Sequence, residues 1–253
     1  MNKERRKRYI LELLDKHGYV NINQLAKRFN VSHMTVRRDL ALLENEGYLI
    51  RNYGGAVKSE TIDNLFNFSK RVGIKTKEKD AICRYASTFI EDNDIIFIDC
   101  GTTVFHLCKY IINRRNLKVI TNSLPVVSSL VNYSHIKVNI PGGEVIHERK
   151  AVYGPITEKA ISGYYANKAF IGTDGISIKN GLSSYDEKEG NISRKMAERS
   201  DKVYLLCDSS KIENNSYYIS APLSIVDFLI TDNGIDKKYI REYRKNKIEI
   251  LIC

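Results

Sequence analysis

The apolar positions change their period partway along the chain. Through the first 57 residues they recur at helical spacing. Ile10, Leu13 and Leu14 share one face of a helix over 4–17, which Gly18 stops. Val20 and Ile22, either side of Asn21, read as a short extended piece. Leu25 and Phe29, four apart, predict a second helix over Gln24–Phe29 capped by Asn23, and Asn30 suits a left-handed turn. Val36, Leu40 and Leu43 make the buried stripe of a third helix that Ser32 caps and Gly47 ends. The run YLIRNYGGAVK (48–58) then alternates around Gly54–Gly55 and predicts a small β-hairpin.

Residues 58–76 (KSETIDNLFNFSKRVGIKT) have no clear period and read as a linker. A helix over 78–90 follows, with Ile82, Ala86 and Phe89 inward. Beyond it, short β-rich runs alternate with helical ones. Strands are predicted at 95–100, 118–122, 137–142, 168–175, 202–208, 228–232 and 248–253, with helices near 103–112, 124–132, 155–163 and 188–199. This alternation predicts an α/β domain with a mostly parallel sheet. The expected organisation is a small helical domain over 1–57, a linker over 58–76 and an α/β domain over 77–253.

Charge sharpens that division. Residues 1–58 carry 12 Lys+Arg against 6 Asp+Glu, while 59–253 carry 28 against 24. The small domain holds most of the +10 net charge, which points to a polyanion as its partner. No apolar run approaches the roughly 18 residues that span a bilayer, and the basic N-terminus lacks the apolar core of a signal peptide. Cys83, Cys100, Cys108, Cys207 and Cys253 form no CxxC pair and no zinc spacing with the five histidines. Reduced thiols in a cytoplasmic protein, without structural metal or cofactor, are expected.

At about 100° per residue, Met34, Arg38 and Ala41 point away from the Val36–Leu40–Leu43 stripe, and Arg37 lies on its flank. One account of the two arginines is a solvated face paired with Asp39 and Glu44. The other is a helix-turn-helix whose second helix is basic on its free face, followed by a wing with Arg51 at its edge. Front-loaded charge favours the second. In the large domain nearly every strand ends in a small polar cluster: DCGTT (99–103), TNS (121–123), PGGE (141–144), GTDG (172–175) and DSSK (208–211). Open α/β sheets bind ligands at such strand ends. Gly101 allows close backbone approach, and Thr102 and Thr103 open a helix whose free amides attract phosphate. Asp99 and Asp174 can accept from sugar hydroxyls, and Lys211 supplies charge. The chemistry suggested is capture of a phosphorylated, polyhydroxylated small molecule.

Residues 5–57, with VSHMTVRRDLALLENEG followed by RNYGGA, strongly resemble the N-terminal helix-turn-helix of the DeoR family of bacterial transcriptional regulators. DCGTT, TNS, PGGE, VYGP, GTDGI, GLSSYDEKEGNISRKM and DSSK resemble its C-terminal sensor. The resemblance implies a cytoplasmic, homo-oligomeric (dimeric or tetrameric) repressor of a carbohydrate operon. Its partners would be double-stranded operator DNA and a phosphorylated sugar or related effector, with a sensor fold like ribose-5-phosphate isomerase and coenzyme A transferases. The implied DNA contacts are Ser32, His33, Met34, Thr35, Arg37, Arg38 and Arg51. The implied effector contacts are Asp99, Gly101, Thr102, Thr103, Thr121, Asn122, Gly143, Asp174, Gly175, Glu189 and Lys211. The chain departs from the family pattern at Tyr53 (often His), Ser183–Ser184 (usually Thr-Thr), Gly190 (usually Ala) and Ser193 (commonly Lys). No catalytic residue is assigned. The alternative is a sugar-phosphate isomerase with an accessory DNA-binding head, but no nucleophile elbow, P-loop or metal cluster supports it.

Overall fold

The computed structural model describes residues 3–17, 19–46, 48–52, 54–58 and 67–253. Gly18, Gly47 and Tyr53 lie outside them, as do residues 59–66 of the stretch read as a linker. The chain forms two compact units, Met1–Asn67 and Phe68–Cys253.

The first unit runs α1 (Lys3–His17), β1 (Tyr19–Asn21), α2 (Ile22–Phe29), α3 (His33–Asn45), β2 (Leu49–Asn52) and β3 (Gly55–Lys58). Ile10, Leu14, Leu25, Phe29, Val36, Leu40 and Leu43 form its buried core. The second helix starts earlier than its spacing predicts, and its cap is Asn21 rather than Asn23. The Asn21 backbone is extended, and its side chain accepts from the amides of Asn23 and Gln24 at 2.9 and 3.3 Å. Ile22 therefore enters the helix and the core. Asn30 takes the expected left-handed conformation, with φ 53°. The predicted hairpin is β2–β3, and β1 adds a third antiparallel strand on β3. Gly55 is fixed by that addition: a Cβ there would sit 1.8 Å from the Val20 carbonyl oxygen, whereas one on Gly54 would meet nothing.

The second unit begins with α4 (Phe68–Arg71) and α5 (Thr76–Ala86), then β4 (Ile95–Ile98), α6 (Thr102–Phe105), α7 (Cys108–Ile111), β5 (Lys118–Ile120), α8 (Leu124–Leu130) and β6 (Lys137–Asn139). A hairpin of β7 (Glu144–Ile146) and β8 (Ala151–Tyr153) leads to α9 (Pro155–Ser162) and β9 (Ala166–Ile171). Next come β10 (Gly175–Ser177), β11 (Gly181–Ser184), α10 (Glu187–Glu198), β12 (Ser200–Leu206), β13 (Tyr218–Ala221), β14 (Phe228–Thr231), α11 (Lys237–Lys245) and β15 (Glu249–Ile252).

The seven predicted strands are the seven strands of one sheet, ordered β15-β14-β12-β9-β4-β5-β6 and parallel at every pairing. Both faces are covered. Phe97 enters the apolar layer that holds Ile192 and Met196 of α10, while its neighbours Ile96 and Ile98 enter the layer that holds Ile82 of α5 and Val104 of α6. Burial on both faces is why these strands read as unbroken apolar runs. Three expectations are corrected. The strand over 168–175 is two, β9 and β10, because the chain leaves the parallel sheet at Gly172–Asp174 to join an antiparallel sheet β10-β11-β13. The helix over 103–112 is two short ones, α6 and α7. The helix over 78–90 closes as α5 with a 3-10 turn over Ser87–Phe89. From β4 the sheet grows one way through β5 and β6 and the other through β9, β12, β14 and β15. The reversal between β4 and β9 opens a crevice at their carboxyl ends.

Candidate functional site

On the first unit, α3 presents a charged edge. Ser32 accepts from the Thr35 amide at 3.2 Å, and the two hydroxyls lie 3.0 Å apart. The cap thus fixes where the helix starts. Val36, Leu40 and Leu43 are buried, while His33, Arg37 and Arg38 are exposed and Met34 is 63% exposed. The acids that would pair with the two arginines on a merely solvated face are engaged elsewhere. Asp39 is buried and takes Arg6 of α1 at 2.6 and 3.1 Å. Glu44 takes both the Arg51 amide, at 2.8 Å, and its guanidinium, at 2.5 Å, which hold its carboxyl below the usual range. Among the described residues, neither Arg37 nor Arg38 has an ion-pair partner. Arg51 of β2 is tied to α3, with 45% of its side chain exposed. Arg6 is a positioning residue that residue spacing does not reveal. Its signal is Asp39, an acid on the inward flank of an amphipathic helix, which burial obliges to find a cation.

In the second unit the loops after β4 and β9 meet: a Cβ on Gly101 would lie 3.7 Å from the Gly172 Cα. Asp99 is buried at this junction. It accepts from the Cys100 and Gly172 amides at 2.6 and 3.0 Å and from the Ser193 hydroxyl at 2.9 Å, yet burial still pushes its carboxyl up. Asp174 accepts from Arg71 at 2.7 Å and from the Tyr185 amide at 3.1 Å. Burial raises it, but Arg71, Arg149 and Lys211 outweigh burial and hold it low. Glu189 pairs with Arg149 at 2.7 Å. Burial, with Asp174 and Asp99 nearby, pushes Glu189 up in spite of Arg149 and Arg71. Asp208, after β12, takes Lys75 at 2.6 Å.

Lys79 is different. It is 5% exposed, and its ammonium donates only to uncharged oxygens, Thr102 Oγ1 at 3.0 Å and the Arg71 carbonyl at 2.6 Å. Burial, reinforced by Arg71, Lys211 and Lys75 against Asp208, pulls it down to about 8. Among the described residues it has no carboxylate partner. Lys211 is half-buried, and its charge is felt by Lys79, Asp174 and Asp208.

The fold therefore brings Asp99, Gly101, Thr102, Asp174, Glu189 and Lys211 to one crevice. Thr103 is partly buried beside Thr102, with its carbonyl accepting from the Cys83 thiol. Thr121 accepts from the Ser123 amide, and Asn122 donates to the Val152 carbonyl, so both side chains meet local backbone. Gly143 and Gly175 serve close packing: a Cβ would meet Thr157 Oγ1 at 2.1 Å and the Asn214 carbonyl oxygen at 2.4 Å. Four cations of the crevice escape the strand-end pattern. Arg71, Lys75 and Lys79 come from the stretch before β4, and Arg149 from the β7–β8 hairpin. Only Lys79 leaves a trace, as a lysine on the same stripe as Ile82, Cys83 and Ala86. All five cysteines are free thiols, and no helix of the described residues is long and apolar enough to cross a membrane.

Comparison with known proteins agrees with this layout. The DeoR-like helix-turn-helix domain pattern matches residues 6–61, and the DeoR C terminal sensor domain pattern matches 74–233. The uncharacterized HTH-type transcriptional regulator YulB of Bacillus subtilis is 33% identical over 97% of this chain and 95% of its own length. The HTH-type transcriptional repressor GlcR of the same organism is 32% identical over 100% of this chain and 97% of its own. The glycerol-3-phosphate regulon repressor of Escherichia coli is 29% identical over the whole of both. Ribose 5-phosphate isomerase A from Neisseria gonorrhoeae overlaps 53% of this chain and 52% of its own at a TM-score of 0.39 and 15% identity, too distant to argue from.

Proposed function

The chain belongs to the DeoR family of transcriptional regulators, and from that premise we propose that it is a DNA-binding repressor of a carbohydrate operon, released by a phosphorylated, polyhydroxylated metabolite. Relatives named as repressors, one of them of a glycerol-3-phosphate regulon, favour a regulator over an isomerase with a DNA-binding head.

The observation that carries the sensor half is Lys79. A buried ammonium without a counter-ion costs several kcal/mol in the folded protein. It stands where an anion would relieve that cost, beside Thr102 and within the field of Lys211. Asp99, Asp174 and Asp208 around it are acceptors suited to ligand hydroxyls. Ser193, where the family commonly has Lys, hydrogen-bonds Asp99 without adding charge, so the charge for the phosphate comes from other cations of the crevice, with Lys79 the one that lacks a carboxylate among the described residues.

For the DNA half, Met34, Arg37 and Arg38 face base edges. Met34 suits a thymine methyl, and an arginine suits guanine O6 and N7. His33 stands at the helix head among them. Ser32, Thr35 and Arg51 meet phosphates. A homo-oligomer would set two such helices on two half-sites. The test is a thermal-shift screen of the full chain against sugar phosphates, repeated with Lys79→Met. A ligand that binds the folded state raises its melting temperature. The expected result is stabilisation of the wild type by a phosphorylated polyol or sugar, absent in the variant. Equal shifts in both proteins would remove Lys79 from the site.

A further inference from the structure

Arg71, Lys75 and Lys79 follow one another at four-residue intervals on the stretch by which the chain enters the second unit. All three turn into the effector crevice. Two are already occupied: Arg71 by Asp174 at the end of β9, and Lys75 by Asp208 at the end of β12. Both carboxylates are deeper than the cations they hold. The Asp174 and Asp208 side chains are 2% and 5% exposed, those of Arg71 and Lys75 18% and 37%.

The same stretch is tensioned elsewhere. Lys75 sits in the left-handed region at φ 52°, which an L-residue with a long side chain adopts only at a cost. Lys79 Nζ holds the Arg71 carbonyl at the end of α4.

We propose that Asp174 and Asp208 are internal competitors for the cations that recognise the effector. In the ligand-free protein they hold the stretch 68–76 down over the crevice. A phosphate draws Arg71 and Lys75 from them, the ligand's hydroxyls satisfy the carboxylates left behind, and the stretch leading back to the DNA-binding unit is released. This rests on the crevice being an anion site, as proposed above.

The exchange explains why the effector needs both chemistries. A phosphate dianion outcompetes a carboxylate for arginine through its extra acceptor oxygens. Without hydroxyls, two buried carboxylates lose a donor each, so inorganic phosphate binds more weakly than a phosphorylated polyol while drawing on the same cations.

The test uses the full chain and inorganic phosphate, with chloride of equal ionic strength as control, read by calorimetry and backbone hydrogen exchange. Asp208→Asn keeps a side-chain oxygen for the Ser210 amide but removes the competitor. Asp208→Asn should bind phosphate about fivefold or more tighter than the wild type, within the usual range of coupling between sites. Exchange over 68–76 should be faster in that variant without phosphate, and in the wild type with it. Lys75→Met, which breaks the same pair from the other side, should also speed exchange over 68–76 but not tighten phosphate, and it serves if Asp208→Asn does not fold. If wild-type binding is lost in Lys79→Met but neither variant loosens 68–76, or phosphate slows exchange there, the competition is overturned and the anion site stands. If phosphate binds neither the wild type nor Asp208→Asn, both the competition and the anion site fail.

Discussion

Among single residues, the cations that lack a carboxylate among the described residues are the ones on which the proposed function rests. Arg37 and Arg38 are exposed while the acids beside them are spent on Arg6 and Arg51. Arg37→Ala and Arg38→Ala should each weaken operator binding by roughly 1–3 kcal/mol and relax preference at one base pair if they read bases. Fluorescence anisotropy on matched and mismatched DNA checks this. Weakening that is uniform across sequences, with a salt slope lower by about 1, would instead put the arginine on a phosphate. Lys79 makes a pH prediction. Its folded value of about 8 lies below the ordinary 10.5. Between those values the unfolded chain binds more protons than the folded one, so stability should rise with pH across that window. Denaturant midpoints at pH 8 and pH 10 should show the wild type gaining on Lys79→Met. The variant should be no less stable than the wild type at pH 7, since it removes a buried charge rather than a buried pair.

At the scale of elements, the recognition helix and wing behave as one part. Ser32 sets the start of α3, Arg6–Asp39 sets its rotation about the core, and Glu44 ties β2 to its last turns. Gly55 sets the seat of β3 against β1. Gly55→Ala should disrupt that sheet, because its Cβ would overlap the Val20 carbonyl. The expected outcome is weaker binding to every DNA sequence alike, with sensor-ligand binding unchanged. Loss of ligand binding as well would show that the effect is not local to the wing. Helical and strand periods announce most of these elements, since apolar spacing and burial are two views of the same residues. The antiparallel sheet β10-β11-β13 and α11 escape that logic. GTDGI and GLSS carry small residues that read as turns, and α11 (KKYIREYRK) buries little beyond Tyr243.

At the scale of the whole molecule, two sites that share one equilibrium must be reciprocal. If the effector lowers operator affinity by some factor, operator DNA must lower effector affinity by the same factor. Calorimetric titration of effector with and without DNA measures both sides of that cycle. Unequal factors would mean that the two titrations do not share the same end states, as when the oligomer changes between them.

The division between what was legible and what was not follows from distance along the chain. Helix stripes, the Ser32 cap, the seven strands and the polar clusters at their ends depend on neighbours a few positions apart, so they can be read along the chain. The outward face of Arg37 and Arg38 follows from the same local period. The pairings across many residues come instead from the folded arrangement. Asp39 goes to Arg6, Asp174 to Arg71, Asp208 to Lys75, and Lys79 to no carboxylate among the described residues. No period specifies those partners. The packing of α1 on α3 sets the first, and the strand order sets the others, by bringing the ends of β4, β9 and β12 beneath a stretch that, read alone, looks like a linker.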